Sequence, residues 1–214
     1  YNQSFGKHNI DAMVGYSWQY FYSEGQTTKA YGFLSDNFKW YSLAAAQTVE
    51  SISSYAESNT LISMYGRVNY NYADKYLLTA TIRRDGSSRF GSGNKWGIFP
   101  SVAASWRISQ EDFFQNDIMS DLKLRASFGI TGSQEIGNYN SLSTLGASTN
   151  GYLVGGEKIT IVLPQQYTNP DLKWEQTAQT DIGIDFGFLN GKIRGSIIKR
   201  RPIFFYLWQF LLLH

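Results

Sequence analysis

The chain has 214 residues, no cysteine and a formal net charge of +2, with 17% charged and 16% aromatic residues. An ordinary soluble domain carries roughly 25% charged residues. The balanced charge argues against a nucleic-acid-binding protein and against a polybasic protein of the membrane surface. The apolar content excludes a disordered chain. Without cysteine there is no disulfide framework, no thiolate zinc site and no cysteine nucleophile.

Hydrophobic residues alternate with polar ones along most of the chain. From Asn9 to Tyr22 the even positions are mostly apolar and the odd positions mostly polar, which puts one set on each face of a β-strand. The same pattern predicts six further strands: Leu61–Tyr72, Tyr76–Arg84, Trp96–Ile108, Leu122–Ile130, Trp174–Phe188 and a start at Ile193–Ile197. Within Gln110–Met119 the sequence favours at most a short helical turn.

The connections differ in length in a regular way. Tight turns are expected at residues 6–7, 73–75 and 189–192, where Asn190-Gly191 is a strong hairpin signal. Long segments rich in Ser, Thr, Asn and Gly lie at 23–60 and 132–173. Counted by strand, the tight turns fall at one end of the sheet and the long loops at the other. An all-β, antiparallel up-and-down sheet of this kind is how outer-membrane barrels are built.

Aromatic residues at strand ends favour a transmembrane sheet over a soluble one. Trp96 and Trp106 bracket an apolar face of ten residues, about 33 Å long and, at a tilt of about 45°, about 23 Å high. The apolar band of an outer-membrane barrel is about 25 Å tall and is flanked by aromatic girdles. We expect Tyr20 and Tyr22 in the loop-side girdle. The turn-side girdle would hold Tyr70, Tyr72, Tyr76, Phe186 and Phe188.

The opposite face carries the charges, which would be tolerated in a wet lumen but not in lipid. These residues are Asp11, Arg67, Arg83, Arg107, Lys123, Arg125, Asp181 and Asp185. A soluble β-rich sheet, such as a carbohydrate-binding module, has the same alternation, and so does a passive porin. Both alternatives stay open at this point.

No residue pattern points to catalysis, a cofactor or a metal. Residues 83–89 are basic and contain glycine, but they match no phosphate-binding fingerprint, so we expect a tight connection around Asp85-Gly86. Asp181 and Asp185 are about 13 Å apart along one strand, too far to act as a carboxylate pair. His8 and His214 are isolated in the sequence. The sequence therefore predicts no enzyme, and it leaves any ligand-binding residues unknown.

Three tyrosines of the long loop are candidates for stacking on sugar rings. These are Tyr139, Tyr152 and Tyr167. Packing within the loops or against another protein explains them equally well, and we rank packing first.

Several strings resemble SusC/RagA-like TonB-linked outer-membrane proteins. They are Arg83-Arg84-Asp85-Gly86-Ser87-Ser88-Arg89-Phe90-Gly91, Trp106-Arg107-Ile108-Ser109-Gln110-Glu111, Leu122-Lys123-Leu124-Arg125-Ala126-Ser127-Phe128-Gly129 and Asn169-Pro170-Asp171-Leu172-Lys173-Trp174-Glu175. They occur in the family's order and cover most of residues 5–197. The resemblance implies about seven strands of a barrel with about 22 strands and a plugged lumen.

The resemblance also implies a function and partners. Members of the family import oligosaccharides, peptides or other large nutrients across the outer membrane, with energy delivered through TonB. Many pair with a SusD-like surface lipoprotein. The expected partners are therefore this lipoprotein, TonB (through a plug region absent from this stretch), an oligosaccharide or peptide substrate and outer-membrane lipid, with no nucleic acid and no cofactor.

Both ends of the chain depart from a complete receptor. The start at Tyr1 lacks a signal-peptide pattern, so we interpret the chain as an internal piece of a longer protein. Residues 1–197 are expected to be barrel. From about residue 198 the alternation stops, and we hypothesise that residues 198–214 arise from a reading-frame shift.

Overall fold

A computed structural model of the chain describes residues 1–114, 118–148 and 153–205. Twelve strands run through these residues: β1 Asn2–Phe5, β2 His8–Tyr31, β3 Thr48–Tyr72, β4 Tyr76–Ser87, β5 Trp96–Arg107, β6 Met119–Ser133, β7 Thr144–Ser148, β8 Leu153–Val154, β9 Glu157–Lys158, β10 Ile161–Gln166, β11 Glu175–Phe188 and β12 Ile193–Phe205. Two 3₁₀ segments cover Lys39–Ala45 and Ile108–Gln110. Within the described residues, no helix is long and apolar enough to cross a membrane.

Eight strands form one antiparallel sheet in the order β1-β2-β3-β4-β5-β6-β11-β12. The remaining four strands lie in the connection between β6 and β11, where β7 pairs with β10 and β8 with β9. In the described part of the chain the sheet stays open, with β1 and β12 at its edges. The predicted up-and-down barrel segment is confirmed.

The predicted tight turns are confirmed at one end of the sheet. Ala73 and Asp74 both adopt positive φ, 53° and 56°, between β3 and β4. Leu189, Asn190 and Gly191 do so between β11 and β12. Turns with two positive-φ residues match the twist of antiparallel strands, which explains the use of Asn, Asp and Gly here.

The strand register keeps one apolar face continuous across the sheet. Val14 lies opposite Gly66 of β3, and Gly66 lies opposite Ile82 of β4. On this outward face Val14 is 91% exposed and Ile82 is 57% exposed. Other exposed apolar side chains of the same face are Tyr16, Trp18, Met64, Val68, Leu78, Ile98, Val102, Phe128, Ile182 and Ile184. A broad apolar sheet face open to the surroundings is what a lipid-facing wall requires.

Aromatic rings stack in a row at the turn end of this face. The rings of Tyr72 and Tyr76 lie 6.3 Å apart, and those of Tyr76 and Trp106 lie 6.4 Å apart.

Trp18 and Tyr20 stack at 6.2 Å toward the loop end. At that end Arg84 faces outward, with its guanidinium 4.7 Å from the centre of the Trp96 ring. Its charge therefore lies against an aromatic ring at the border of the apolar band.

Two strands are much longer than the alternation predicted. β2 continues to Tyr31 and β3 begins at Thr48, so the two form a hairpin that extends beyond the rest of the sheet. The extension is paired residue by residue, for example Gln26 with Ser54. Its residues are almost all exposed on both faces, and a strand with water on both sides has no hydrophobic period to reveal it.

The sequence-based interpretation of Asp85-Gly86 was wrong. Asp85-Gly86 is not a tight turn, because both residues lie inside β4 and the loop begins after Ser87. A Cβ at Gly86 would meet the Trp96 ring, so this glycine serves close packing. The stretch Gln110–Met119, where at most a short helical turn was expected, begins within the 3₁₀ segment Ile108–Gln110. The N–H of Phe114 then donates to the carbonyl of Glu111 over 3.0 Å, and Met119 begins β6. Residues 115–117 lie outside the described residues.

β12 continues past the point where the alternation stops. It pairs with β11 as far as Phe205, opposite Gln176. Lys199 lies opposite Ile182, and Arg201 lies opposite Thr180, so both cations occupy the outward face. Lys199 is six residues from the start of β12, which places it about 14 Å above the turn end of the sheet at a strand tilt of about 45°. Residues 206–214, the rest of the hypothesised frame-shifted tail, lie outside the described residues.

The buried core lies at the loop end, where β5 and β6 part. Their pairing stops at Ser101 and Gly129, next to Pro100, which has no N–H to donate to a ladder. Phe90, Phe99 and Trp174 fill this space, with exposed fractions of 1%, 7% and 6%. The Trp174 ring lies 5.1 Å from Phe90 and 5.3 Å from Phe99. The indole N–H of Trp174 donates to the carbonyl of Lys95 over 2.9 Å, which fixes the loop before β5.

Candidate functional site at the inner face and loop end

The inner face of the sheet carries ion pairs between neighbouring strands. Arg125 of β6 lies 3.1 Å from Asp185 of β11, and Arg200 of β12 lies 3.0 Å from Asp181. Each of these carboxylates therefore has its own cation rather than the other acid. This arrangement matches the predicted polar lining and not a pair of catalytic carboxylates.

The basic motif of β4 holds the inner wall together. Arg83 donates from Nε to both carboxylate oxygens of Asp85 over 2.7 Å, and from Nη2 to Ser63 over 3.0 Å. Ser63 is completely buried. Arg83 and Asp85 thus pair along one strand, as residues two apart on one face. These contacts give the motif a structural role in the wall.

The loops above the inner wall are tied to one another. Arg89 donates from Nε to Oδ1 of Asn138 over 2.9 Å, and from Nη1 to the carbonyl of Gln134 over 3.0 Å. The backbone N–H of Ser58 donates to the hydroxyl of Tyr139 over 2.9 Å. Hydrogen bonds from Ser58 hold the pKa of the Tyr139 phenol below its usual value. The segment 134–139 is thereby fixed against β3.

A cavity of ≈ 400 Å³ opens below this segment. It is lined by Phe21, Tyr22 and Ser23 of β2, Glu57 and Asn59 of β3, and Arg89, Gln134, Glu135 and Asn138 of the loops. Two amide oxygens in this lining, Oδ1 of Asn59 and Oε1 of Gln134, are buried without a hydrogen-bond partner. The cavity lining therefore includes two exposed aromatic residues, Phe21 and Tyr22, and two buried amide oxygens without a hydrogen-bond partner.

A second polar cluster lies at the turn end of the sheet. Glu111 accepts hydrogen bonds from the hydroxyl of Tyr76, the indole of Trp106 and the ammonium of Lys75. These three bonds, that of Tyr76 first, lower the pKa of Glu111 to about 2. The bond to Glu111 in turn raises the pKa of Lys75. The cluster fixes the connection after β5 to the aromatic girdle.

The other residues considered from the sequence have structural partners or lie apart. His8 shares a hydrogen bond of 2.7 Å with the Tyr70 hydroxyl, and its ring lies 5.2 Å from Phe5. Tyr139 packs against β3 as described, whereas Tyr167 is 87% exposed. Tyr152 and His214 lie outside the described residues. Among the described residues, no group of three or more His, Cys, Asp or Glu side chains could hold a metal ion.

The sequence analysis missed Phe21, Asn59 and Gln134. Phe21 is an apolar residue on the polar face of β2, and that exception to the alternation was the available signal. Asn59 lies in a stretch that the alternation did not identify as strand. Nothing local marks Gln134, because its place at the cavity depends on the loop fold.

The comparisons with known proteins agree with this architecture. The sequence model of the family described as "TonB dependent receptor-like, beta-barrel" matches residues 1–197. The chain belongs to this TonB-dependent receptor family. Members of the family are β-barrels of the outer membrane, and the SusC/RagA-like resemblance is confirmed.

Two curated relatives show how much of a receptor is present. The chain is 40% identical over 205 residues to TonB-dependent receptor SusC of Bacteroides thetaiotaomicron, covering 92% of this chain and 19% of that protein. It is 37% identical over 197 residues to TonB-dependent receptor P3 of Formosa agariphila, covering 92% of this chain and 20% of that protein. The chain thus spans about a fifth of the length of these relatives.

Solved structures share the fold. The RagAB peptide importer in its closed-closed state superposes with a TM-score of 0.79 at 26% identity, over 94% of this chain and 22% of that chain. The structure of the RagAB peptide transporter gives a TM-score of 0.77 at 28% identity, over the same shares. The open sheet is therefore similar to one part of a larger receptor barrel.

Proposed function

We propose that this chain forms part of the wall of an outer-membrane importer that takes up oligosaccharides or other large nutrients and is energised through TonB. The observation that carries the proposal is the register of the sheet. It places a continuous apolar face outward and ion-paired charges inward, within a family of outer-membrane receptors. The wall contributes a polar conduit, and displacement of a plug elsewhere in the receptor opens the path.

Family membership favours this function over the two alternatives. A passive porin and a soluble carbohydrate-binding module have the same alternation, but the match to the receptor family supports neither. The relatives are receptors rather than enzymes, which fits the expectation that the chain has no catalytic role.

The proposed partners follow from the same relatives. A SusD-like surface lipoprotein would cover the loop end, where the β2–β3 hairpin extends beyond the sheet. TonB would act through a plug outside this stretch. Lipid would cover the outward face. Because RagAB, which shares the fold, is a peptide importer, peptides stand beside oligosaccharides as a class of cargo.

Site-directed spin labels test the proposal in the full-length protein in its own outer membrane. Labels at Val14, Ile82 and Val102 should be accessible to oxygen dissolved in the bilayer and shielded from aqueous quenchers. Labels at Ser17 and Ser101, both on the opposite face, serve as matched controls and should show the reverse. If the first three labels meet the aqueous quencher instead, the wall is not in lipid and the proposal fails.

A further inference from the structure

We propose that a groove on the outward face of the sheet, centred on Ala104 and Ala126, is a binding site for one phospholipid of the periplasmic leaflet. The groove holds an acyl chain, and the connection after β5 holds a headgroup with a free ammonium, as in phosphatidylethanolamine. The inference rests on the proposed placement of this wall in the outer membrane. It adds one defined lipid site to a face that would otherwise accept any lipid.

The strand register builds the groove. Ala104 of β5 lies opposite Leu78 of β4 on one side and opposite Ala126 of β6 on the other. Ala126 in turn lies opposite Ile182 of β11. Two alanines therefore lie side by side between two large apolar residues. The rows above and below also carry larger side chains, namely the pairs Val102–Phe128 and Trp106–Leu124.

The space above the two alanines is large enough for a ligand. A cavity of ≈ 530 Å³ covers this region, and both alanines, Leu78, Trp106 and Ile182 line it. Small-molecule sites in proteins have volumes of about 300–1,000 Å³. The alanines are exposed, so the floor of the groove is open to whatever surrounds the outward face.

The groove lies at the depth of acyl chains near the periplasmic surface. Leu78 is two residues beyond Tyr76 of the turn-side girdle, a height of about 5 Å at a strand tilt of about 45°. Tight turns of outer-membrane barrels lie on the periplasmic side. An acyl chain of the periplasmic leaflet therefore runs past Ala104 and Ala126.

The shape of the groove favours one bound chain over a freely exchanging one. Between apolar groups in a membrane there is no hydrophobic driving force, so association depends on van der Waals packing. A chain on a flat wall touches protein on one side. A chain seated over the two alanines also touches the flanking side chains of Leu78 and Ile182, and each added contact at short range contributes dispersion energy.

The connection that follows β5 lies beneath the groove on the lipid side of the wall. Glu111 of this connection accepts hydrogen bonds from Tyr76 and Trp106, whose rings belong to the outward face. The ring of Phe113 lies 6.5 Å from that of Trp106 and is 70% exposed. The aromatic girdles of a barrel mark the two membrane interfaces. The polar groups of this connection are therefore within reach of the headgroup of a lipid in the groove.

The charges at this position favour a headgroup with an ammonium. The ammonium of Lys75 lies 3.0 Å from Glu111 and 3.4 Å from Asp112. One positive group thus faces two negative groups, which leaves a surplus of one negative charge. The Asp112 carboxylate is fully exposed and is free to approach a headgroup. An ethanolamine ammonium offsets the surplus, whereas an anionic headgroup such as that of phosphatidylglycerol is repelled by it.

Native mass spectrometry of the full-length receptor tests the inference. The receptor is equilibrated in detergent with equal amounts of dioleoyl phosphatidylethanolamine and dioleoyl phosphatidylglycerol. We expect the first bound lipid to be phosphatidylethanolamine. Ala104→Leu and Ala126→Leu fill the groove and should each weaken this first binding step by roughly 2- to 10-fold. Asp112→Asn should reduce the preference for phosphatidylethanolamine by about 2- to 5-fold, as expected for loss of an exposed ion pair.

A matched variant separates the groove from the rest of the apolar face. Ala80 is an exposed alanine at an outward position of β4, two residues beyond Leu78, and it does not line the groove. Ala80→Leu should therefore bind phosphatidylethanolamine like the unmodified receptor. The heat-dependent shift of a folded barrel in gel electrophoresis shows that each variant is folded.

Three results would overturn the inference. One is equal retention of the two lipids by the unmodified receptor. Another is unchanged affinity for phosphatidylethanolamine in both Ala104→Leu and Ala126→Leu. The third is an equal loss of affinity in Ala80→Leu.

The importer proposal is judged separately. The spin-label positions Val14, Ile82 and Val102 do not line the groove, and they report whether the wall is in lipid at all. Loss of the lipid site with all three labels in the bilayer overturns this inference alone. Labels that meet the aqueous quencher overturn both proposals.

Discussion

The indole N–H of Trp106 donates to Oε1 of Glu111 over 2.9 Å, and the Tyr76 hydroxyl donates to the same oxygen over 2.7 Å. Two rings of the turn-side girdle thus share one carboxylate oxygen from the connection that follows β5. Lys75 completes the cluster on the other oxygen at 3.0 Å. The Glu111 side chain is only 12% exposed, so these bonds are largely shielded from water.

This cluster predicts a specific loss of stability in acid. Because folding lowers the pKa of Glu111 from 4.5 to about 2, its contribution is fully present above pH 4.5 and is lost as the pH falls toward 2. Glu111→Gln should lower the thermal midpoint at neutral pH and flatten its fall across this range. Asp112→Asn is the control, since Asp112 is fully exposed and reaches the same Lys75. Equal pH profiles for the unmodified protein and Glu111→Gln would contradict the assignment.

The two faces of β5 predict opposite responses to a charge. Val102 is in the middle of the outward band between Trp96 and Trp106, and Ser101 is on the inner face. Val102→Lys should destabilise the barrel by about 2–4 kcal/mol, the cost of a lysine near the bilayer midplane, whereas Ser101→Lys should have little effect. Urea unfolding of the full-length protein in lipid vesicles measures both. Comparable losses for the two variants would disprove the assignment of faces.

Close packing of a glycine under an aromatic ring predicts a coupled pair. A Cβ at Gly132 would overlap the Phe99 ring. Gly132→Ala should therefore destabilise the loop end by about 1–3 kcal/mol. The loss should shrink when Phe99→Ala is also present, because the overlapping ring is gone. Gly93→Ala is the control, since no atom lies within 4 Å of the added methyl group. Additive effects at Gly132 and Phe99 would refute the contact.

The buried aromatic cluster predicts which loops depend on it. Trp174→Ala should destabilise the loop end by about 3–5 kcal/mol, as large-to-small changes in a packed core do. Residues 88–95 should then become sensitive to protease, because Trp174 no longer donates to Lys95. Trp40→Ala, at a tryptophan that is 75% exposed, should leave the digestion pattern unchanged. Cleavage in 88–95 at the same rate in both variants would contradict this role.

The hypothesis of a reading-frame shift near residue 198 predicts what the gene contains. Lys199 and Arg201 place two cations on the outward face, where each would cost about 2–4 kcal/mol near mid-depth. Resequencing the locus should reveal that another frame after codon 197 continues with an alternating aromatic strand. An intact frame that encodes only the present residues 198–214 would disprove the hypothesis.

The sequence was sufficient for the parts of the fold that touch two different environments. The strands around Val14, Ile82 and Val102 were predicted because lipid on one side and a polar interior on the other impose a period of two. The hairpin beyond Tyr22 was missed because water surrounds it on both sides. Gly86 was misassigned because a glycine that leaves room for an aromatic ring, here that of Trp96, cannot be told in sequence from a glycine that makes a turn.

The site required the three-dimensional structure. Asn59 and Gln134 are far apart in the chain. The Tyr139–Ser58 hydrogen bond ties the loop to β3, the Arg89 bonds tie it to the loop after β4, and Ile136 and Leu61 pack against the same aromatic cluster. The cluster of Phe90, Phe99 and Trp174 likewise joins three distant segments. Phe99 lies at an inward position, where alternation alone predicts a polar residue.

The parting of β5 and β6 above Ser101 has a consequence for electrical insulation. Backbone hydrogen bonds between adjacent strands seal a membrane-spanning wall. Between β5 and β6 these bonds stop at Ser101, although both strands continue. The packed rings of Phe90, Phe99 and Trp174 fill the space where these hydrogen bonds are absent. Replacing one of these rings by alanine would first let small ions pass between the strands. Single-channel recordings would register this as a raised baseline current before the barrel unfolds.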